Sequence, residues 1–366
     1  MYYRRMKALS LFANVGFGEI LFNEIGLDVV VANELHQDRC DLYKQIHPNT
    51  NVVCGDICKQ EVKSNIYDAL PCATVDEEGI ELIIATPPCQ GMSVANAKRL
   101  DSDPRNSLII HAMDVFNDLM PEYMLIENVQ GMANTWIKVN GDVVNIIEYI
   151  KSRLPSPWRL NYDVLDAKDF QTPQSRKRFI GLISKHGDWK HPAKVNQIKT
   201  VRDAIGHLPS LESGRSSSTP WHYAKKHNPN HIIWMKNTPT GETAFNNKIH
   251  YPKKDGRRIK GFMTTYKRIN WDKPSPTVTM CNGAISSQNN VHPGNKLLDG
   301  TYSDARVLSV EEIAIICGLP QNFLDKFKNK VSENFMRKVL GECFPPTMAR
   351  EIIRTIPTLK FINNYS

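Results

Sequence analysis

Through the first 185 residues, short apolar runs rich in β-branched residues alternate with stretches whose apolar positions recur every three or four residues. The runs at 7–12, 28–33, 52–54, 81–85 and 123–127 show little polar alternation. That is the pattern of strands buried on both faces of a parallel sheet. Between them, 19–25, 36–46, 61–70 and 106–119 read as helices, and 159–165 and 179–183 as two further strands of the layer. Strands and helices alternating across short connections predict a doubly wound, mostly parallel α/β sheet with right-handed crossovers. Near His186 the pattern fades into Pro-, Ser- and Asn-rich connections, of which 213–220 is the most loop-like. A helical pattern returns at 309–319 and again at 335–356, where Pro345 and Pro346 interrupt it. The predicted division is a main domain of 1–185 plus 305–366 and a smaller, irregular domain of 186–304.

One stretch organises the rest: Thr86-Pro87-Pro88-Cys89-Gln90-Gly91-Met92-Ser93. Two prolines after the run at 81–85 forbid both helix and further ladder pairing, so the chain leaves the sheet at its carboxyl end. Ligands bind at that edge in open α/β sheets. Cys89 is either a small buried hydrophobe or a thiol placed for chemistry.

Composition narrows the class. The chain has 366 residues, 41% hydrophobic and 23% charged, ordinary for a soluble globular protein of one large and one smaller domain. No apolar run approaches the roughly 18 residues of a membrane span, and no secretory leader is visible. Eight scattered cysteines with no Cys-x-x-Cys pair argue against zinc and against a disulfide framework, and suit a reducing cytoplasm. A formal net charge of +8 favours a polyanionic partner.

Other strand ends carry candidate chemistry. Gly16 and Gly18 after the first strand allow close approach of a ligand to backbone, but the third glycine of a dinucleotide fingerprint is absent, which disfavours an NAD oxidoreductase. Glu34 could bind ribose hydroxyls and Asp56 an adenine amine; either could instead be a solvated strand end or a helix cap. Together the three strand ends fit an adenosine-containing cofactor. Glu127 ends a buried strand beside Cys89 and must find a partner or keep its proton. Arg176 and Arg178, in extended chain, would share one face, offering two guanidinium forks to an anionic or carbonyl-bearing ligand or merely starting a basic surface strand.

The order of Phe12-Ala13-Asn14-Val15-Gly16-Phe17-Gly18, Pro87-Pro88-Cys89-Gln90, Glu127-Asn128-Val129 and Gln174-x-Arg176-x-Arg178 resembles the cytosine-C5 DNA methyltransferases. Pro274-Ser275-Pro276-Thr277-Val278-Thr279 and Gly341-Glu342-Cys343-Phe344-Pro345-Pro346 extend the likeness over nearly the whole chain. The resemblance implies a Rossmann-like fold and S-adenosylmethionine as methyl donor, leaving S-adenosylhomocysteine, with no metal. It implies Cys89 as nucleophile on cytosine C6, Glu127 holding N3 and the exocyclic amine, Arg176 bracing the base carbonyl and Glu127, and Arg178 supporting that loop. Phe12, Ala13, Gly16, Gly18, Glu34, Leu35, Asp56, Ile57 and Pro88 would line the cofactor site. Gln90, Ser93 and Thr277 would face DNA. Two positions depart from the family pattern: Glu342 stands where Asn is usual, and Leu35 where a larger residue commonly follows the acid.

The chemistry explains these residue types. Thiolate addition at C6 turns C5 into an enamine carbon able to accept a methyl group, and loss of the C5 proton then expels the cysteine. A free thiol titrates near about 8.5, so Cys89 needs nearby cations, and the base must be flipped from the duplex. By the same resemblance 186–304 is a target-recognition domain. Lys253, Lys254, Arg257, Arg258 and Lys260, interleaved with Tyr251, Phe262 and Tyr266, form its clearest phosphate-binding patch. The expected protein is a cytoplasmic, monomeric DNA methyltransferase of bacterial or phage origin acting on double-stranded DNA, with a separately acting restriction endonuclease as its candidate partner. A tRNA cytosine methyltransferase and a catalytically silent DNA-binding relative are the alternatives.

Overall fold

The computed structural model describes residues 5–71, 79–88, 107–195 and 197–359. By internal packing the chain forms two compact units, one of 1–166, 177–193 and 349–366, the other of 167–176 and 194–348. Residues 305–348, grouped by the sequence with the main domain, therefore pack within the second unit.

The first unit is built on a seven-stranded sheet. Its strands are β1 (Met6–Leu11), β2 (Leu27–Glu34), β3 (Asn51–Cys54), β4 (Leu82–Ala85), β5 (Tyr123–Val129), β8 (Arg159–Asp166) and β9 (Lys177–Ser184), in the order β3-β2-β1-β4-β5-β9-β8. The strands β1 to β5 run parallel, and β9 is antiparallel to both β5 and β8. The expected mostly parallel α/β class is what forms. Helices α1 (Gln37–Ile46), α2 (Gln60–Ala69), α3 (Leu108–Leu119) and α4 (Ile146–Arg153) connect the strands. Leu9, Leu11, Val31, Ile83 and Ile126 sit at the centre of the core, with α2, α3 and α4 contributing Ile66, Phe116 and Ile150.

One local expectation fails for a physical reason, and one element was not expected. The helix expected at 19–25 is two 3-10 turns, Phe17–Glu19 and Phe22–Ile25. Phe17, Glu19 and Phe22 are all buried. In an unbroken α-helix Glu19 would lie about 200° round from Phe17, so one helix face cannot bury all three. The unexpected element is a hairpin of β6 (Trp136–Val139) and β7 (Asp142–Asn145), turned by Asn140 and Gly141 at φ 50° and 99°.

The second unit has little regular pairing. Its helices are short, α5 (Val201–Ile205), α6 (Pro229–Lys236), α7 (Val310–Ile316) and α8 (Glu333–Glu342), and among the described residues its one two-stranded ladder is β10 (Lys253–Lys254) with β11 (Arg257–Arg258). Arg268, Arg306 and Arg337 are buried within it. A last helix, α9 (Pro346–Ile353), completes the C-terminal pattern that the two prolines interrupt.

Candidate active site

Because β1 to β5 are parallel, their carboxyl ends open on one edge, and most of the predicted residues of the first unit lie there. A web of short bonds fixes this edge. The buried Glu34 carboxylate accepts the Asn14 and His36 amides, both at 3.0 Å. Asn33 donates to the Val53 and Gly55 carbonyls at 2.9 and 3.1 Å. Thr86 donates its hydroxyl to the Phe12 carbonyl at 3.0 Å, linking the exits of β4 and β1. Phe12 and Asn14 adopt left-handed backbone, φ 59° and 51°, so the loop after β1 is held in a strained form, the kind of strain that gathers at functional sites.

Gly16 is dictated from beneath. A Cβ there would come within 2.5 Å of His47 Nε2 and 2.6 Å of Tyr43, and its φ is 73°. His47 Nε2 lies 2.8 Å from the Gly16 carbonyl, while Tyr43 and Ser10 donate their hydroxyls to the buried Glu19 carboxylate. Burial and the Glu19 charge push the Tyr43 phenol well up. Sequence reasoning missed Glu19, Tyr43 and His47; a buried acid one residue past the glycines was the available signal.

The remaining cofactor candidates differ in what they offer. Leu35 is 55% exposed. Asp56 accepts the Cys58 amide at 3.0 Å, and this bond chiefly holds its carboxyl below the usual range. Ile57 is in the core, so its main chain is what it offers the edge. Ala13 packs with Ala32 and Tyr43, Gly18 is buried, and Phe12 is half-buried.

At β4 and β5 the arrangement is tight. Pro87 is buried and Pro88 half-buried; Cys89, Gln90 and Ser93 lie outside the described residues. Asn128, 2% exposed, donates to the Pro87 carbonyl at 3.0 Å and accepts the Val129 amide at 2.8 Å. It thereby holds Pro87 in place where the chain leaves β4, a role the sequence reading did not assign. Glu127 forms an ion pair with Arg178 Nε at 2.8 Å, both side chains being nearly buried. The register explains it: Val129 faces Arg178 and Glu127 faces Ile180, so acid and guanidinium are diagonal neighbours on antiparallel strands.

Arg176 lies just before β9 rather than in it, so the period-two argument that paired it with Arg178 does not apply. It belongs to the second unit and is 3% exposed, its two terminal nitrogens donating to the Val278 and Gly341 carbonyls at 3.0 Å. Gln174 binds the Val278 amide at 3.1 Å, and Thr277 donates its hydroxyl to the Ser175 carbonyl at 2.8 Å. Gly341 allows α8 to touch this braid, since a Cβ would sit 2.5 Å from Thr279 and Met280 backbone. In the basic patch Lys253, Lys254, Arg257, Arg258 and Lys260 are all exposed. Among the described residues no cluster of His, Cys, Asp or Glu could hold a metal ion, and no helix is long and apolar enough to cross a membrane.

The family model for C-5 cytosine-specific DNA methylase matches residues 6–358. The chain is 44% identical to Type II methyltransferase M1.HgaI of Avibacterium volantium, over 96% of this chain and 98% of that one. It is 25% identical to M1.HphI of Haemophilus parahaemolyticus, over 97% and 88%. The solved Dnmt2 methyltransferase of S. pombe superimposes with a TM-score of 0.58 at 18% identity, covering 96% of this chain and 98% of that one, a likeness of fold. The chain thus belongs to the C-5 cytosine-specific DNA methylase family and is a DNA cytosine-5-methyltransferase.

Proposed function

We propose that this enzyme methylates C5 of a cytosine extruded from a specific site in duplex DNA, using S-adenosylmethionine and a transient bond from Cys89 to C6. The observation that carries the reading is the Glu127–Arg178 pair at the end of β5, beside the Pro87 carbonyl that Asn128 holds. Glu127 takes up a proton as the base binds and donates it to cytosine N3, its other oxygen accepting from the exocyclic amine. Arg178 keeps the Glu127 carboxyl oriented, and Arg176 fixes the segment on which Thr277 lies. Cys89 adds as thiolate at C6 while N3 takes its proton from Glu127. Once C5 carries the methyl group, loss of the C5 proton to solvent re-forms the C5–C6 double bond and expels the thiolate.

The ends of β1 to β3 fit an adenosine-bearing ligand by their chemistry. A buried carboxylate at Glu34, an exposed apolar Leu35, the Asp56 carboxylate and the left-handed backbone at Phe12 offer hydrogen-bond acceptors beside an apolar surface. Bound there, S-adenosylmethionine supplies an electrophilic methyl carbon. Phe12, Ala13, Gly16, Gly18, Glu34, Leu35, Asp56, Ile57 and Pro88 would hold it. The Type II methyltransferase names of the relatives support a modification enzyme paired with a separately acting restriction endonuclease. We infer a monomer in the cytoplasm of a bacterium, or encoded by its phage.

The decisive experiment uses a duplex carrying 5-fluorocytosine at the target. Wild-type enzyme with S-adenosylmethionine is expected to form a covalent adduct that survives denaturing electrophoresis. Cys89→Ser should bind the duplex and form none; an adduct from that variant would overturn the assignment.

A further inference from the structure

The basic patch of the second unit contains two kinds of surface whose chemistry differs. The first is the ribbon of β10 and β11, with Lys253 opposite Arg258 and Lys254 opposite Arg257 across a turn at Asp255 and Gly256, φ 49° and 76°. Of its cations Arg258 is committed to the protein. Its guanidinium lies 3.9 Å over the Tyr251 ring and donates to the Phe245 and Asn247 carbonyls at 2.8 and 3.0 Å. Lys253, Lys254 and Arg257 extend from this anchored ribbon into solvent.

The second surface is apolar. Phe262 is 72% and Met263 54% exposed, a cost in water that a soluble surface rarely carries at adjacent positions. They are not loose. Thr265 closes the turn by donating both its amide, at 2.9 Å, and its hydroxyl, at 2.8 Å, to the Phe262 carbonyl. Asn289 donates its amide to the Thr264 carbonyl at 2.7 Å. Gly261 lies so close to the Phe245 ring that a Cβ would meet it at 2.5 Å. Phe245 thus roots both surfaces, holding Arg258 through its carbonyl and Gly261 against its ring. The fold presents two large apolar side chains on a rigid turn beside three free-standing cations.

We propose that Phe262 and Met263 are specificity-determining residues that make apolar contact with base edges or base steps, while Lys253, Lys254 and Arg257 grip phosphates. This inference rests on the duplex-DNA reading above. Charge complementarity selects the occupant: phosphates bring a polyanion to the ribbon, and base edges and thymine methyls are the apolar surface that a duplex then offers. Side chains of this type are also those that wedge between base steps. The division predicts separable effects, because phosphate contacts carry salt dependence and base contacts carry sequence preference.

Bisulfite sequencing of a plasmid treated with wild-type enzyme defines the site, and binding is then compared on a short duplex bearing it and on a scrambled duplex over a series of salt concentrations. Lys253→Ala/Lys254→Ala/Arg257→Ala should weaken binding to both duplexes alike and flatten the slope of log affinity against log salt by roughly 2 to 3. Phe262→Ala/Met263→Ala should keep the wild-type slope, melting temperature and S-adenosylmethionine affinity, yet lose about tenfold in preference for the site. Phe262→Leu, which keeps an apolar side chain, should retain most of that preference. Unchanged preference in Phe262→Ala/Met263→Ala, with wild-type methyl transfer to duplex DNA intact, overturns this inference alone. Absence of methyl transfer to duplex DNA by the wild type overturns the underlying reading instead.

Discussion

The two units solve the same backbone problem in opposite ways. In the first, the ladder of seven strands satisfies most main-chain groups, so the interior can be almost wholly apolar around Leu9, Leu11, Ile83 and Ile126. In the second, loops leave carbonyls that no ladder reaches, and buried guanidinium groups take them. Arg268 donates to the carbonyls of Met235, His292 and Ser303 at 2.7–3.2 Å. Arg306 binds the Leu211 carbonyl at 2.8 Å and pairs with Glu312 at 2.7 Å and Asp304 at 2.9 Å. Arg337 donates to the Leu308 carbonyl at 2.9 Å and pairs with Glu333 at 2.6 Å. Arginine suits this because it carries five donors and no acceptor. Irregular chain that must present exposed turns such as 262–265 can be held rigid this way without a sheet.

Breaking one guanidinium should therefore test the contrast most severely. Arg306→Ala leaves Glu312 and Asp304 buried without their cation, and removing one partner of a buried pair costs about 3–5 kcal/mol. The urea midpoint should fall accordingly, and limited proteolysis should place the first cuts within 194–348. Equal susceptibility of both units in that variant would mean that the arginines do not organise the second unit in particular.

Acid should act on the same unit. His227 Nε2 accepts the Val307 amide at 3.2 Å and His292 Nδ1 the Gly294 amide at 3.1 Å, so both rings must present an unprotonated nitrogen. Burial first, then Arg337 for His227 and Arg306 for His292, pushes each down to about 4. The unfolded chain takes up protons below about 6.5 while the folded one does not, so stability declines as pH falls from 6.5 toward 4. His227 is only partly buried, so solvent screening trims its share of the loss by pH 5 to about 1 kcal/mol. His227→Gln keeps an acceptor and should flatten the fall in melting temperature between pH 6.5 and 5; an unaltered slope would remove this histidine from the account.

How far the sequence revealed this division follows from the physics of each unit. Strands buried on both faces announce themselves as apolar runs, whatever their direction, so 123–127 and 179–183 pointed to β5 and β9 within a few residues. The apolar run marked 179–183 as a strand of the layer without a direction, so the Glu127–Arg178 pair stayed hidden; only the antiparallel register makes the two diagonal. Asn128 was illegible: nothing in the order of residues says that its amide reaches the Pro87 carbonyl 41 positions away. Arg258 misled in the other direction, as composition cannot distinguish a cation held by Tyr251 and two carbonyls from one facing solvent. The second unit was read as irregular, and it is; its order comes from long-range side-chain bonds that no periodicity records.

The β6–β7 hairpin was legible and overlooked, since Asn140-Gly141 between two β-branched runs is a strong turn signal. It also supplies the mildest test of the contrast. Gly141 adopts φ 99°, and a Cβ there would meet nothing within 4 Å, so Gly141→Ala meets only backbone strain. Such strain costs about 1 kcal/mol. Hairpin and sheet share the core through Ile137, so a local loss should stay local as long as that contact holds. Amides of 137–144 should exchange several-fold faster while those of β1 and β5 keep their protection, and the urea midpoint should shift far less than in Arg306→Ala. Loss of protection along β5 in Gly141→Ala would show that the hairpin braces the strand that carries Glu127, and that even the sheet unit depends on irregular chain at its functional edge.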